Sequence, residues 1–195
     1  NDRIGGLLRY GIPDFKLEKN VIDRRLEVML QSGITFKTSV NVGVDISADE
    51  LLKRFDAVVL CGGSTIPRDI PVKGRELEGI YFAMDFLEQQ NRRVAGETIP
   101  NKEAITATGK KVVVLGGGDT GSDCIGTSNR QMAEHILQIE LLNQPPKKRA
   151  NSNPWPEYAF VLKTTSSHEE GCERDWSVVT KRAIGEGGKV KAIVC

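Results

Sequence analysis

The sequence predicts an α/β fold built on a parallel central sheet and closed by a C-terminal antiparallel hairpin. Three observations predict it. The apolar run at 110–115 leads into the turn Gly116-Gly117-Gly118-Asp119-Thr120-Gly121. A helical stretch to Arg130 and a second apolar run at 133–142 follow, completing a β-α-β unit of about 30 residues. Near the end, Gly185-Glu186-Gly187-Gly188 separates 176–184 from 189–195 in a hairpin pattern.

The glycine turn carries the functional reading. Gly116 permits the tight turn out of the strand. Gly118 has no side chain, so a pyrophosphate can approach the backbone, and Gly121 lets the helix pack close to the sheet. The N–H groups and positive dipole end of that helix face the phosphates. This is a Rossmann-like pattern for a dinucleotide. Glu140 lies about 20 residues beyond the glycines, where an acid bonds a ribose 2′-hydroxyl. Asp119 and Thr120 stand at the helix start, where they serve equally as caps or as cofactor contacts.

The remaining elements follow in order. Residues 5–15 read as an irregular loop punctuated by Gly11 and Pro13. Over 17–32, Ile22, Leu26, Met29 and Leu30 share one helical face, and Gly33 suits a C-terminal cap. Residues 34–40 alternate as a strand does. Ser47-Ala48-Asp49-Glu50 is a capping box for a short helix to Arg54. Ala57, Val58, Val59 and Leu60 read as a buried strand ending in Cys61-Gly62-Gly63-Ser64. A loop with Pro71 and Gly74 spans 68–79. A helix over 82–90 turns Phe82, Phe86 and Leu87 inward, and 92–109 is a polar surface excursion. The proline-rich stretch from Gln144 to Pro156 cannot sit in a central strand. Two pieces emerge: 1–79, part of a second α/β domain, and 80–195, the nucleotide-binding domain, truncated at its C-terminal end.

Composition excludes several classes. Lys and Arg total 27 against 26 Asp and Glu, so no broad basic field exists for nucleic acid. No apolar run nears the roughly 18 residues of a membrane span, and no signal-peptide pattern opens the chain. The four cysteines, Cys61, Cys124, Cys172 and Cys195, have no C-x-x-C spacing, which fits a reducing cytoplasm. His168, Glu169, Glu170 and Cys172 match no common zinc spacing and read as a polar loop over the cofactor; no metal site is expected. No Ser-His-Asp or Cys-His arrangement supports nucleophilic catalysis, and no catalytic residue is assigned. Both ends read as cut, with no initiator Met and a stop inside a strand-like run, so a fragment is expected.

Several phrases resemble one family. The loop from Gly5-Gly6-Leu7-Leu8-Arg9-Tyr10-Gly11 to Leu17 is similar to the segment after the first FAD-binding strands of glutamate synthase small (beta) subunits. Val58 to Ser64, with Pro67, Arg68 and Pro71, resembles the crossing from the FAD domain to the pyridine-nucleotide domain. Gly116 to Cys124 and Gly126 to Arg130 resemble the NADPH turn, and Ser166 to Gly171 with Trp176 resembles it further on.

The resemblance implies an NADPH-dependent oxidoreductase. Its small subunit takes a hydride from NADPH onto FAD and passes electrons through iron–sulfur clusters to the large (alpha) subunit. There, glutamine-derived ammonia and 2-oxoglutarate become glutamate. The cluster domain and first FAD glycine turn of the family are absent here, so FAD and clusters are expected in the full-length protein only, and the isolated fragment is expected to be inactive. The resemblance places Gly5, Gly6, Leu7, Gly62 and Gly63 on the FAD side. An ordinary glycine loop is the alternative at Gly5 to Leu7.

Cofactor choice stays open at Glu140, whose charge suits NADH, against Lys147, Lys148 and Arg149, of which Lys148 and Arg149 suit the 2′-phosphate of NADPH. The alternative for the basic triplet is a solvated loop. Two further functional readings stand: a related NAD(P)H-dependent flavin reductase serving another acceptor, and a non-catalytic nucleotide-binding module.

Overall fold

The computed structural model describes residues 1–195. The chain forms two compact units, Asn1–Asp69 and Ile70–Cys195.

The first unit contains α1 (Gly6–Tyr10), α2 (Lys19–Gln31) and α3 (Ala48–Arg54). The helix α1 takes the place of the first part of the irregular loop expected at 5–15, and 11–15 stay irregular. Gly5 and Gly6, at φ 127° and 47°, turn the chain into it. Tyr10 is buried at its end, and its hydroxyl donates to Asp2 Oδ1 at 2.7 Å. Gly33 ends α2 as expected: at φ 87° it donates to Leu30 O, and Ile34 N donates to Met29 O. That pair of bonds satisfies two orphan carbonyls in a Schellman motif. Of the predicted apolar face, Ile22 is buried and Leu26 half-buried, whereas Met29 and Leu30 are exposed.

Ser47 caps α3 by accepting from Glu50 N at 3.1 Å. Glu50 does not close the box; its carboxylate instead accepts from Arg54 Nη1 at 3.0 Å, four residues on. The strands expected at 34–40 and 57–60 form no ladder. Val59 and Leu60 are 81% and 90% exposed, so the apolar run is not buried here. A strand needs a paired neighbour for its backbone groups, and this unit has only the isolated bridge between Val42 and Ile46.

The second unit runs α4 (Ala83–Val94), a 3-10 turn (Asn101–Glu103), β1 (Lys111–Leu115), α5 (Asp119–Arg130), β2 (His135–Glu140), α6 (Ser166–Glu169), β3 (Glu173–Trp176), β4 (Arg182–Glu186) and β5 (Lys189–Val194). The strands β1 and β2 pair in parallel, Val112 opposite Ile136 and Leu115 opposite Ile139. The helix α5 connects them, as the sequence predicts. The strand β3 extends the parallel sheet beside β2, with Gln138 opposite Arg174. The sequence reading assigned no strand at 173–175 and began the hairpin at Trp176, which instead ends β3; the hairpin's first strand begins only at Arg182.

Leu87 of α4, Val114, Ile136, and Cys124 and Ile125 of α5 form the core, with Phe86 packed against it. Ile125 is fully buried, which contributes about 1.5–3 kcal/mol. The helix α4 continues to Val94, so the surface excursion starts later than Arg92. Arg92 instead donates to Glu88 at 3.0 Å and to Glu97 at 3.2 Å.

The hairpin β4–β5 turns at Gly187 and Gly188, both left-handed at φ 58° and 80°, the pair of conformations that a type I′ turn requires. Lys73 and Glu78 bridge to Arg182 and Lys189. Gly74 sits so close to β4 that a Cβ there would lie 2.5 Å from Ala183 O. These bridges tie 73–78 to the second unit, and the units divide at Asp69/Ile70, ahead of Gly79.

Candidate dinucleotide-binding site

The turn between β1 and α5 uses its glycines for three separate reasons. Gly116 has φ 113°, a region an L-residue adopts only with strain. A Cβ on Gly121 would lie 2.5 Å from Gly116 O and 3.0 Å from Gln138 Nε2, so the helix start lies against the strand end. Gly118 is different. Its backbone, φ −80° and ψ −179°, is extended and open to any residue. A Cβ there would meet nothing within 4 Å. The helix α5 begins directly after it with no side-chain cap. Ser122 N is bonded to Gly118 O at 3.1 Å, which leaves the N–H groups of Asp119, Thr120 and Gly121 as the orphan donors of the first turn. Open space in front of uncapped helix donors suits an anion.

Two side chains of β2 reach the turn. Glu140 Oε2 accepts from Gly117 N at 2.5 Å, and its Oε1 accepts from Leu142 N at 3.0 Å. Both carboxylate oxygens thus hold backbone donors. Gln138, only 2% exposed, donates from Nε2 to Gly116 O at 2.8 Å. Its Oε1 lies 3.1 Å from His168 Nε2. Thr165 N lies 3.0 Å from His168 Nδ1. A backbone N–H only donates, so Nδ1 accepts and the ring proton resides on Nε2, facing Gln138. Thr165 Oγ1 is in turn 2.6 Å from Ser122 Oγ on α5. His168 therefore packs inside the unit, in contrast to the polar loop over a cofactor expected for His168, Glu169, Glu170 and Cys172, of which Glu169 and Glu170 are exposed.

Beyond β2 the chain forms a long loop closed on itself. Leu162 N donates to Pro146 O at 2.8 Å. Arg149 Nη1 donates to Asn153 O and Glu157 O, both at 3.0 Å. Asn153 joins Tyr158 O at 3.1 Å and Phe160 N at 2.9 Å. Arg149 and Lys148 are both exposed, and Arg149 also braces the loop through the carbonyls of Asn153 and Glu157. Lys163 donates to the Tyr158 hydroxyl. That bond raises the ammonium's proton affinity, and the charge of Asp119, at the start of α5, adds to it. Sequence reasoning missed both Gln138 and Lys163. For Gln138 one signal existed: a polar residue centred in an apolar strand must find partners when buried.

The structure brings Gly116 to Gly121 and Glu140 together, with Lys148 and Arg149 on the loop that follows. Gly5, Gly6, Leu7, Gly62 and Gly63 lie in the first unit, with Gly5 and Gly6 opening α1 and Leu7 62% exposed. A Cβ on Gly62 or Gly63 would meet nothing within 4 Å.

A parallel β-α-β unit with an open glycine turn defines a Rossmann-like α/β protein. Its fold is that of Mycobacterium tuberculosis FprA, an oxidoreductase solved in complex with NADPH, at TM-score 0.53 and 20% identity over 73% of this chain and 35% of FprA. No family model matches the chain. In sequence it is a homologue of one part of the glutamate synthase small chain. The Mycobacterium tuberculosis glutamate synthase (NADPH) small chain is 52% identical over 98% of this chain and 40% of its own length. The Bacillus subtilis protein of that name is 41% identical over 98% and 40%. The Schizosaccharomyces pombe glutamate synthase (NADH) is 46% identical over 98% of this chain and 10% of its own. The chain thus spans about 40% of the bacterial small chains it matches.

Proposed function

We propose that this chain is the pyridine-nucleotide-binding part of an NADPH-dependent flavoprotein oxidoreductase. The whole protein would pass electrons from NADPH through FAD and iron–sulfur clusters to a glutamate synthase large subunit, for glutamate synthesis from glutamine and 2-oxoglutarate in the cytoplasm. The observation that carries the reading is the open approach at Gly118, in front of the uncapped donors of α5. The relatives' names supply glutamate synthase and NADPH; the flavin, the clusters and the substrates rest on the family resemblance.

In this reading the N–H groups at the start of α5 hold the pyrophosphate, and Lys148 and Arg149 attract the 2′-phosphate. Glu140 stays out of the choice, because both its oxygens already hold backbone donors and its carboxylate is turned to the chain; the cations then decide for NADPH. When bound, the nicotinamide supplies a hydride; the protein positions it and excludes competing reactions. Gly5, Gly6, Leu7, Gly62 and Gly63 form the flavin side.

The test uses the full-length protein, titrated anaerobically with NADPH while its flavin absorbance is followed. Bleaching of a bound flavin, and glutamate formation only after the large subunit is added, are expected. Flavin reduction with no gain from the large subunit would assign the protein to the second reading, a reductase for another acceptor; the shared FprA fold motivates that reading. Absence of both flavin and NADPH binding would refute the flavoprotein assignment.

A further inference from the structure

The carbonyl of Gly116 and the N–H of Gly117 are the two polar ends of a single peptide group. Gln138 donates to the first at 2.8 Å, and Glu140 accepts from the second at 2.5 Å. These residues stand two apart on β2, so they project from the same face of the sheet. One strand therefore grips one peptide plane from both sides. The grip is oriented from behind. The His168 ring proton faces Gln138 Oε1, which fixes which end of the amide meets Gly116. Thr165 N fixes the ring's tautomer in turn.

We propose that Gln138 and Glu140 form a peptide clamp that sets the glycine turn in its phosphate-receiving conformation, with His168 as the group that orients Gln138. This rests on the dinucleotide reading above and changes the part Glu140 plays in it. Glu140 acts as a positioning residue for the turn, by accepting one N–H, and its charge does not select between NADPH and NADH. The geometry requires an acceptor at 140 and a donor at 138. Without the clamp, the peptide between two glycines is free to rotate, since glycine has little steric barrier. The N–H groups that follow then lose their common direction toward the ligand.

The experiment separates this from a ribose-reading acid. In the full-length protein, Glu140→Gln keeps a side-chain carbonyl to accept from Gly117 N, and Glu140→Ala does not. The clamp predicts that Glu140→Gln binds NADPH and NADH within about twofold of wild type. It predicts that Glu140→Ala and Gln138→Leu weaken both cofactors alike, by about tenfold or more, as the loss of one or two hydrogen bonds implies. An acid that reads the ribose predicts the opposite for Glu140→Gln and Glu140→Ala: NADPH gains on NADH as the repelling charge is removed. That outcome would overturn the proposal.

A merely structural role is tested by Ile136→Val, a core change on the same strand that touches neither end of the peptide. It should lower the melting temperature and leave cofactor affinity unchanged. The same pattern in Gln138→Leu would refute the clamp. Amide hydrogen exchange at Gly117 without any cofactor gives a readout that does not depend on the dinucleotide assignment. Faster exchange in Glu140→Ala and Gln138→Leu, with wild-type exchange in Glu140→Gln, is expected. Unchanged exchange in all three would overturn the proposal even where NADPH binds, and changed exchange with no NADPH binding would fault the functional reading alone.

Discussion

Gly118 and Gly121 lie three residues apart, and replacing them should have opposite consequences. At Gly118 the backbone is extended and a new Cβ meets nothing within 4 Å. A side chain there strains nothing in the fold. It also restricts the unfolded chain, which stabilises by about 0.4–1 kcal/mol. Gly118→Val should therefore melt at the wild-type temperature or a few degrees above it. Its methyl groups would fill the space in front of the donors of α5. Losing two charge-assisted hydrogen bonds at about 1.5–3 kcal/mol each weakens NADPH binding by roughly a hundredfold or more. At Gly121 a Cβ would stand 2.5 Å from the carbonyl oxygen of Gly116. The contact is with backbone, so helix and strand must separate. Gly121→Ala should cost about 1–3 kcal/mol, the usual range for overpacking, and lower the melting temperature by several degrees, at about 2–4 °C per kcal/mol for a protein of this size. Calorimetric titration with NADPH and thermal unfolding measure the two effects separately. Wild-type NADPH affinity in Gly118→Val would place the phosphates elsewhere. A destabilised Gly118→Val would show that the apparent space is filled.

Three more outcomes follow from the structure. Neutralising Lys148 and Arg149 together should weaken NADPH by about ten- to a hundredfold and leave NADH nearly unchanged; equal losses would show that the pair does not read the 2′-phosphate, and a wild-type preference for NADH would end the NADPH assignment. Burial pushes the Cys124 thiol up to about 12 from 9.0. A folded value above the unfolded one gives stability that is fully present below pH 9 and declines as pH rises toward 12, so Cys124→Ala should flatten unfolding free energy across that window, and thiol titration of the native protein at pH 8 should label exposed Cys61 and Cys195 but spare Cys124. Gly74→Ala, at φ 87° and 2.5 Å from Ala183 O, should loosen 73–78 from the hairpin, seen as faster hydrogen exchange at Ala183 N, which donates to Lys73 O; unchanged exchange would show that the bridge yields without breaking.

Where the sequence was legible, the physics was local. The glycine turn, the helix through Ile125, the hairpin at Gly187 and Gly188, and the Gly33 cap each follow from residues within a few positions of one another. Where it failed, partners distant in sequence decided the result. The run Ala57 to Leu60 has the composition of a buried strand, yet no neighbouring strand in its unit pairs with it, and Leu60 is 90% exposed. Glu173-Arg174-Asp175-Trp176 has no apolar run at all, and becomes a strand because β2 offers its free edge. In the site, the glycines were readable because each answers a backbone requirement. Gln138 and His168 were not, because their bond to each other spans 30 residues.

The loop after β2 is closed by Leu162 N on Pro146 O, tied at its ends by Arg174 of β3 on Lys163 O and by Ser177 N on Leu142 O, and braced by Arg149 and Asn153. Such a loop is a cassette: side chains other than the Arg149 and Asn153 braces can be exchanged, and residues inserted at its tip, without shifting the register of the sheet on either side. In the dinucleotide reading, whatever meets the far end of the cofactor can then change while the glycine turn stays as it is.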